Sequence, residues 1–375
     1  DILMKKIAYK DLMEGEWYEE FGSAMDEKYA GSRGDAGNIF DKIDRIKNGN
    51  DFKTIMESLS GNIYANINER EDDIARTFEN SLGLLQNSHN NTKENMKVNV
   101  IAAKGKTTED TQGVTGYDYE MAGVLALREV ERTYKHTFGY SLGYMHTDFE
   151  FKDGMNSEEL VDTLQIGGHN KYKSDGWVLR NDLTGRVSFH NIDRNINWPS
   201  SYGRSELNGS YETYSITSNN ILGKELNVVK NTSITPYVGL RAMYVTRPDF
   251  EEKELEKLEV EGNDAWSVKP KLGVELQTSI PLGNLNAWKL KGALDLGYEY
   301  ELANLNEREK ARLVKVEDRY HKLAKPEEEK GAFRGGASIG VEVEDRYGIF
   351  LTGEYKVGKD TQEDYRAGVT IKAVF

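Results

Sequence analysis

The sequence contains no cysteine, so neither a disulfide nor a thiolate metal site can form. Proline is scarce, 6 in 375 residues, which leaves room for long strands. No stretch approaches the roughly 18–20 uninterrupted apolar residues that a transmembrane helix needs. Net charge is −14 and mean hydropathy −0.68, and the acidic balance argues against nucleic acid as a partner. The histidines (His89, His136, His146, His169, His190 and His321) are scattered, and no H-E-x-x-H, G-x-S-x-G or P-loop occurs. The residues therefore predict no enzyme activity, no metal and no cofactor. His146 and His169 fall in neighbouring predicted strands, where a girdle or loop position is expected. The chain starts at Asp1, without an initiator Met or a secretory signal. A protein bound for an outer membrane needs such a signal, so the expectation is the C-terminal piece of a longer precursor.

What is present is alternation. In the last eleven residues, Tyr365, Ala367, Val369, Ile371, Ala373 and Phe375 oppose Arg366, Gly368, Thr370, Lys372 and Val374. An apolar face running to a terminal aromatic suits a strand with hydrocarbon on one side and a wet lumen on the other. Similar rows recur from about residue 95. Trp288, Leu290, Leu294, Leu296, Tyr298 and Tyr300 face away from Lys289, Lys291, Asp295, Glu299 and Glu301. A slip of one residue would place those charges in lipid, at about 2–4 kcal/mol for each basic side chain near the midplane. Tyr117, Tyr119 and Met121 alternate with Asp118 and Glu120 and are read the same way, apolar side outward. The rows predict twelve strands, near 95–104, 116–129, 133–150, 160–173, 176–193, 207–224, 233–247, 265–280, 286–302, 331–345, 348–358 and 364–375. Short turns alternate with long loops, as in bacterial barrels. The 36 glycines and 21 tyrosines fit the same fold. A soluble β-sandwich also alternates, but rows of ten or more residues exceed the usual strand of about 5–6.

Before residue 95 the period is helical. Ile39, Phe40, Ile43 and Ile46 form one stripe after Asp35 as an N-cap; Phe52, Ile55, Met56 and Leu59 form a second. A third segment, about 60–86, sets a thin stripe (Ile63, Tyr64, Ile67, Ile74, Phe78, Leu82) among Asn66, Asn68, Glu69, Arg70, Glu71, Asp72, Asp73 and Arg76. A solvated surface helix would read this way, and so would a helix inside a polar pore. About 24 residues at a rise of roughly 1.5 Å span about 36 Å, enough to cross the hydrocarbon core. The predicted pore-helix residues are Ser60, Gly61, Tyr64, Asn66, Glu69, Arg70, Asp72, Asp73 and Arg76. Facing them are Arg180, Arg186, Arg241, Lys269, Lys271, Asp118 and Glu120 on the inward rows. The inward charges either solvate a wet pore or hold the helix.

The order of motifs resembles the β-domain of monomeric (type Va) autotransporters. Leu59-Ser60-Gly61-Asn62-Ile63-Tyr64-Ala65 resembles that family's helix motif, and Thr235-Pro236-Tyr237-Val238-Gly239-Leu240-Arg241 its mid-barrel strand. Gly139–Tyr144, Tyr172–Trp177 and the Phe-terminated end match as well, so the resemblance covers about 36–375. It implies an all-β membrane protein: a 12-stranded antiparallel transmembrane β-barrel with an N-terminal helical segment threading the pore. Residues 1–35 would be the end of a passenger or a linker, 36–94 a helical linker, and 95–375 the barrel in a Gram-negative outer membrane, N-terminal side at the cell surface. The implied task is secretion and anchoring of an N-terminal passenger, with adhesion and virulence the common family roles. The implied partners are outer-membrane lipid, the passenger and the β-barrel assembly machinery, for a monomeric barrel. That machinery reads a terminal aromatic strand, here Tyr365, Val369, Ile371 and Phe375. Some members cleave between two Asn residues of the pore helix. Here Asn90-Asn91 lies beyond the predicted helix, so the passenger is expected to stay attached or be cut elsewhere. The rival readings are a stand-alone channel of porin type and a barrel whose long loops bind a partner directly.

Overall fold

Alternation resolves into twelve long strands in the computed structural model, which describes residues 6–88, 90, 92–108, 111–199, 202–283, 287–327, 330–358 and 363–375. They are β1 (Glu94–Thr107), β2 (Tyr117–Thr133), β3 (His136–Phe151), β4 (Glu158–Ser174), β5 (Trp177–Asn197), β6 (Arg204–Lys224), β7 (Thr232–Arg247), β8 (Asn263–Leu282), β9 (Trp288–Tyr300), β10 (Gly331–Val343), β11 (Tyr347–Gly358) and β12 (Glu363–Val374). Each pairs antiparallel with its sequence neighbours, and β12 closes on β1 from Lys97↔Val374 to Thr107↔Asp364. Closure removes every edge, the condition for a sheet to stand in lipid. Strands β5 and β6 run 21 residues each. About 9–11 suffice to cross a bilayer, so both project well beyond it.

The face assignment follows the predicted rows in most strands. In β12, Tyr365, Val369 and Ile371 are exposed while Thr370 and Lys372 are buried. In β9, Trp288, Leu294 and Leu296 face out and Glu299 is buried within. Strand β2 is the exception. Tyr117, Tyr119, Met121, Leu125 and Leu127 are buried inside the barrel, whereas Asp118 and Glu120 are on the outside. There Asp118 pairs with Lys152 at 2.6 Å and Glu120 with Lys104. Both acids sit near the long-loop end of the strand, past which the outward row becomes Ala122, Val124 and Ala126. The inward apolar row is needed to pack a helix.

That helix, α5 (Ile67–Gln86), runs through the barrel. It packs against β1, β2 and β3. At Gly143 an added Cβ would lie 2.6 Å from Phe78 Cε1, so only glycine lets the ring close on the wall. The chain enters α5 from the long-loop side and returns on the short-turn side as β1. Two-residue turns mark that side: Asp175 and Gly176 both have positive φ, the geometry of a type I′ hairpin. The turn 281–286 and the Asn90-Asn91 pair fall partly outside the described residues (284–286 and Asn91), and His89 wholly so.

The helix is shorter than predicted. Gly61, at φ +90°, ends α4 (Gly49–Ser60) in a left-handed cap; a 3₁₀ turn (Asn62–Tyr64) follows before α5. Ser60, Gly61 and Tyr64 therefore sit at the entrance, and Asn66 occupies the N-cap position. The α4 start is fixed by Asn48, whose side chain accepts from the amides of Asn50 and Asp51. Helix α3 (Gly34–Ile43) carries Asp35 in its first turn; the cap residue is Arg33.

Residues 6–35 are folded, with α1 (Tyr9–Leu12) and α2 (Glu19–Tyr29). The long connections β7–β8 and β9–β10 supply a small sheet from Phe250–Glu251, Leu258–Val260, Lys310–Leu313 and His321–Lys322. Met13, Phe21, Met25, Phe40, Leu59 and Ile63 are buried in one cluster with Leu258, Val260, Ala311 and Leu313. The N-terminal helices and the loop sheet thus make a cap over the long-loop end.

Candidate functional site: the occupied lumen

The lumen is organised around the polar face of α5. At the entrance, Asn66 Nδ2 donates to the Thr115 carbonyl at 2.8 Å. Arg70, fully buried, donates to Asn66 Oδ1 at 2.6 Å and to the Ile63 carbonyl at 3.0 Å. Its Nε lies 2.7 Å from Glu159 of β4. Glu159 also faces His190 Nδ1 at 3.0 Å, and His190 Nε2 faces Glu71 at 3.0 Å. Arg70, Glu159, His190 and Glu71 thus form one buried relay from helix to wall and back.

One turn deeper the charges cross to the opposite wall. Asp72 meets Arg241 at 2.7 Å, Arg76 at 3.1 Å and Lys269 at 3.6 Å. Arg241 also holds Glu79 at 2.8 Å. Asp73 accepts from the Tyr117 hydroxyl at 2.7 Å and from Arg366 at 3.3 Å. Arg76 reaches Glu299 at 2.9 Å, which Arg334 also binds at 2.5 Å. Glu69 accepts from Asn306 Nδ2 at 2.8 Å.

The C-terminal half of α5 is held differently. Asn99 Nδ2 donates to the Ser81 carbonyl at 2.9 Å, Lys97 to the carbonyls of Leu85 and Ser88 at 3.0 and 3.2 Å, and Lys171 to that of Gln86 at 3.2 Å. Ammonium groups at a helix C-terminus satisfy orphan carbonyls and oppose the dipole. Gln86 donates to Asp182 at 2.7 Å, which is joined through His169 to Ser141. That chain ends on the helix and anchors it. His169 is buried in the lumen, while His146 is outside against Asp162.

Of the predicted lumen charges, Arg241 and Lys269 contact the helix acids. Lys271 lines the open side of the lumen near Glu79. Arg180 pairs instead with Glu275 of β8 at 3.1 Å. Arg186 donates to Ser215, Gln165 and Thr184 at 3.1–3.2 Å, all neutral groups on the wall. Asp118 and Glu120 are outside the barrel, as described. Sequence reasoning missed the helix-binding roles of Glu159 and His190, though His190 lies on the same alternating row as Asp182 and Arg186. At the entrance, the Tyr64 hydroxyl donates to Glu252 at 2.6 Å, a carboxylate also gripped by Arg194 at 2.6 Å. The Ser60 carbonyl accepts from His321 Nε2 at 2.9 Å.

Most of these pairs are buried. Removing one partner of such a pair costs about 3–5 kcal/mol, because the other charge is stranded. The arrangement holds a helix in a closed barrel.

Comparison with known proteins agrees with this geometry. A family model described as the autotransporter β-domain matches residues 96–354. No curated protein sequence matches. Among solved structures, the translocator domain of the autotransporter NalP from Neisseria meningitidis is similar at 14% identity, over 84% of this chain and 99% of that one, with a TM-score of 0.61. The β-domain of the Bordetella autotransporter BrkA is similar at 14% identity, over 76% and 100%, with a TM-score of 0.52. A closed twelve-stranded barrel with a helix in its lumen, matched by the family model over most of its length, belongs to the autotransporter β-domain family.

Proposed function

We propose that this barrel is the outer-membrane translocator of a passenger carried on its N-terminal side, and that after secretion α5 stays in the lumen as tether and plug. The observation that carries the reading is the path of the chain, with cap at the long-loop end, α5 through the lumen, and β1 beginning at the short-turn end. In bacterial barrels the long loops are extracellular, which puts the cap and the passenger outside the cell. Tyr365, Val369, Ile371 and Phe375 form the strand offered to the assembly machinery, and the barrel works as a monomer. With its lumen occupied by a helix held through buried ion pairs, the chain is a translocator at rest rather than an open solute channel.

The absence of native cysteine makes the orientation directly testable. Arg33→Cys in the cap should react with a membrane-impermeant maleimide on intact cells. Tyr134→Cys, in the exposed β2–β3 turn, should react only after the outer membrane is permeabilised. The opposite labelling pattern would overturn the proposed orientation.

A further inference from the structure

Strands β9–β12 contain no Asn or Gln, and the outward rows of β9, β10 and β11 turn only apolar side chains and glycine to the lipid. The opposite wall differs. On β5 the outward row begins at Trp177 and reaches Phe189, both exposed, and Asn181 stands between these aromatics. Register sets Asn170 of β4 beside Asn181 on one side and Asn220 of β6 beside it on the other. The three carboxamides form one hydrogen-bonded row. Asn170 Nδ2 donates to Asn181 Oδ1 at 3.2 Å, Asn181 Nδ2 to Asn220 Oδ1 at 2.8 Å, and Asn220 Nδ2 to the Ser218 hydroxyl at 2.9 Å. His136, at the short-turn rim, continues the row against Asn170 Oδ1. Around it on the same face lie Ile166, Leu183, Leu222 and Leu240, all exposed, so the row is set in hydrocarbon.

A carboxamide has two N–H donors and two lone pairs, and each of these three spends one of each on the row. The second N–H and second lone pair of each have no partner among the described residues, and lipid tails supply none. The surface beside the row is low and uneven. Gly168 and Ser218 flank Leu183 in register, and Gly185 lies between Ile166 and Ile216. Knobs and pits therefore alternate, and small residues of this kind let two membrane-embedded surfaces approach closely enough to hydrogen-bond.

We infer that the β4–β6 wall is a lateral docking surface for a second copy of this chain, the two carboxamide rows meeting face to face within the membrane. The chemistry selects the occupant. A hydrocarbon tail neither donates nor accepts, so the row calls for a polypeptide. A row that offers donors and acceptors in equal number is complementary to itself, and a two-fold axis brings the same row of another barrel against it. The carboxamides and their neighbours Leu183, Gly185 and Ser218 are uncharged, so like copies do not repel there. The inference goes beyond the translocator reading and does not depend on it: each barrel secretes alone, and pairing joins finished barrels so that their caps stand side by side.

Two measurements test the pairing. The first is energy transfer between copies of the full chain in phospholipid vesicles, with donor and acceptor dyes on Tyr134→Cys, which provides the only thiol. Replacing Asn170, Asn181 and Asn220 together by Leu should weaken association several-fold and leave the heat-modifiable gel shift in place. Association equal in the two barrels would overturn the inference. The second needs no change to the row. A benzophenone amino acid replaces Leu183 or, on the far side of the barrel, Leu351, each 58% exposed, and the outer membrane of living cells is irradiated. The Leu183 position should give an adduct of twice the mass of the chain, and the Leu351 position should not. Equal yields from both walls, adducts to lipid alone, or adducts only to a protein of another mass would each rule out pairing between copies.

Discussion

The two sides of the barrel wall treat the same helix in opposite ways. Strands β1–β3 meet α5 with Ile101, Tyr117, Tyr119, Leu125 and Met145, all buried, and close on it tightly enough to need Gly143. Strands β9–β12 meet it across a cavity of about 260 Å³, with small residues and a few long charged ones. The packed side fixes where the helix lies, and charges spread around the wall, from Glu159 and Arg241 to Glu299 and Arg366, fix its rotation and depth. A helix solvated on all sides would have nothing to hold it but screened pairs worth about 0–1 kcal/mol each.

The most severe way to break the contrast is to strand a charge in the relay beside the packed wall. Arg70→Met leaves Glu159 without its guanidinium partner, and a loss of about 3–5 kcal/mol is expected. The readout is the denaturant midpoint of the refolded barrel in detergent, with loss of the heat-modifiable gel shift as a check. A milder perturbation compares one glycine from each wall. Gly143→Val drives a methyl into Phe78 and should cost about 1–3 kcal/mol through overpacking. Gly336→Ala on the facing wall meets nothing nearer than Glu354 Cγ at 3.9 Å and should leave the midpoint unchanged. Equal effects at the two positions would mean that the helix is centred after all.

The smallest expected effect is confined to the cap. Burial pushes the His321 imidazole down, but Glu317 at 2.9 Å and the Ser60 carbonyl outweigh it, and its pKa is raised above 6.5. Both ring nitrogens face acceptors, so the imidazolium is the form that satisfies them. A raised folded pKa means that His321 stabilises the cap fully below about pH 6.5 and progressively less as pH rises through the folded value. Limited proteolysis of residues 6–64 should quicken on going from about pH 6 to about pH 9, and His321→Gln should flatten that dependence.

The barrel was legible because outward rows such as those of β9 and β12 face a single solvent along their length. Strand β2 misled because its inward face is also apolar, where it packs on α5, while its outward face carries Asp118 and Glu120 beyond the hydrocarbon. Alternation shows which residues share a face but not which face is in, and tertiary packing decided that here. The helix was legible from its stripe and its charges, but the partners of those charges were not. Arg180 and Arg186 found neighbours on the wall because the strand register brought Glu275, Gln165 and Ser215 closer than any helix acid. The cap was invisible for another reason. Leu258, Val260, Ala311 and Leu313 form short two-residue alternations inside charged loops, and only their assembly with the N-terminal helices makes a core.

Placing a folded cap between the passenger and α5 also has a mechanical side. Tension on the N-terminal end would be taken first by the α1–α4 bundle and its contacts with the loop sheet. If residues 6–64 unravelled, they would pay out about 200 Å of slack at roughly 3.4 Å per residue before the pull reached Arg70. The cap would then act as a shock absorber, giving way at the surface so that the seal in the membrane need not.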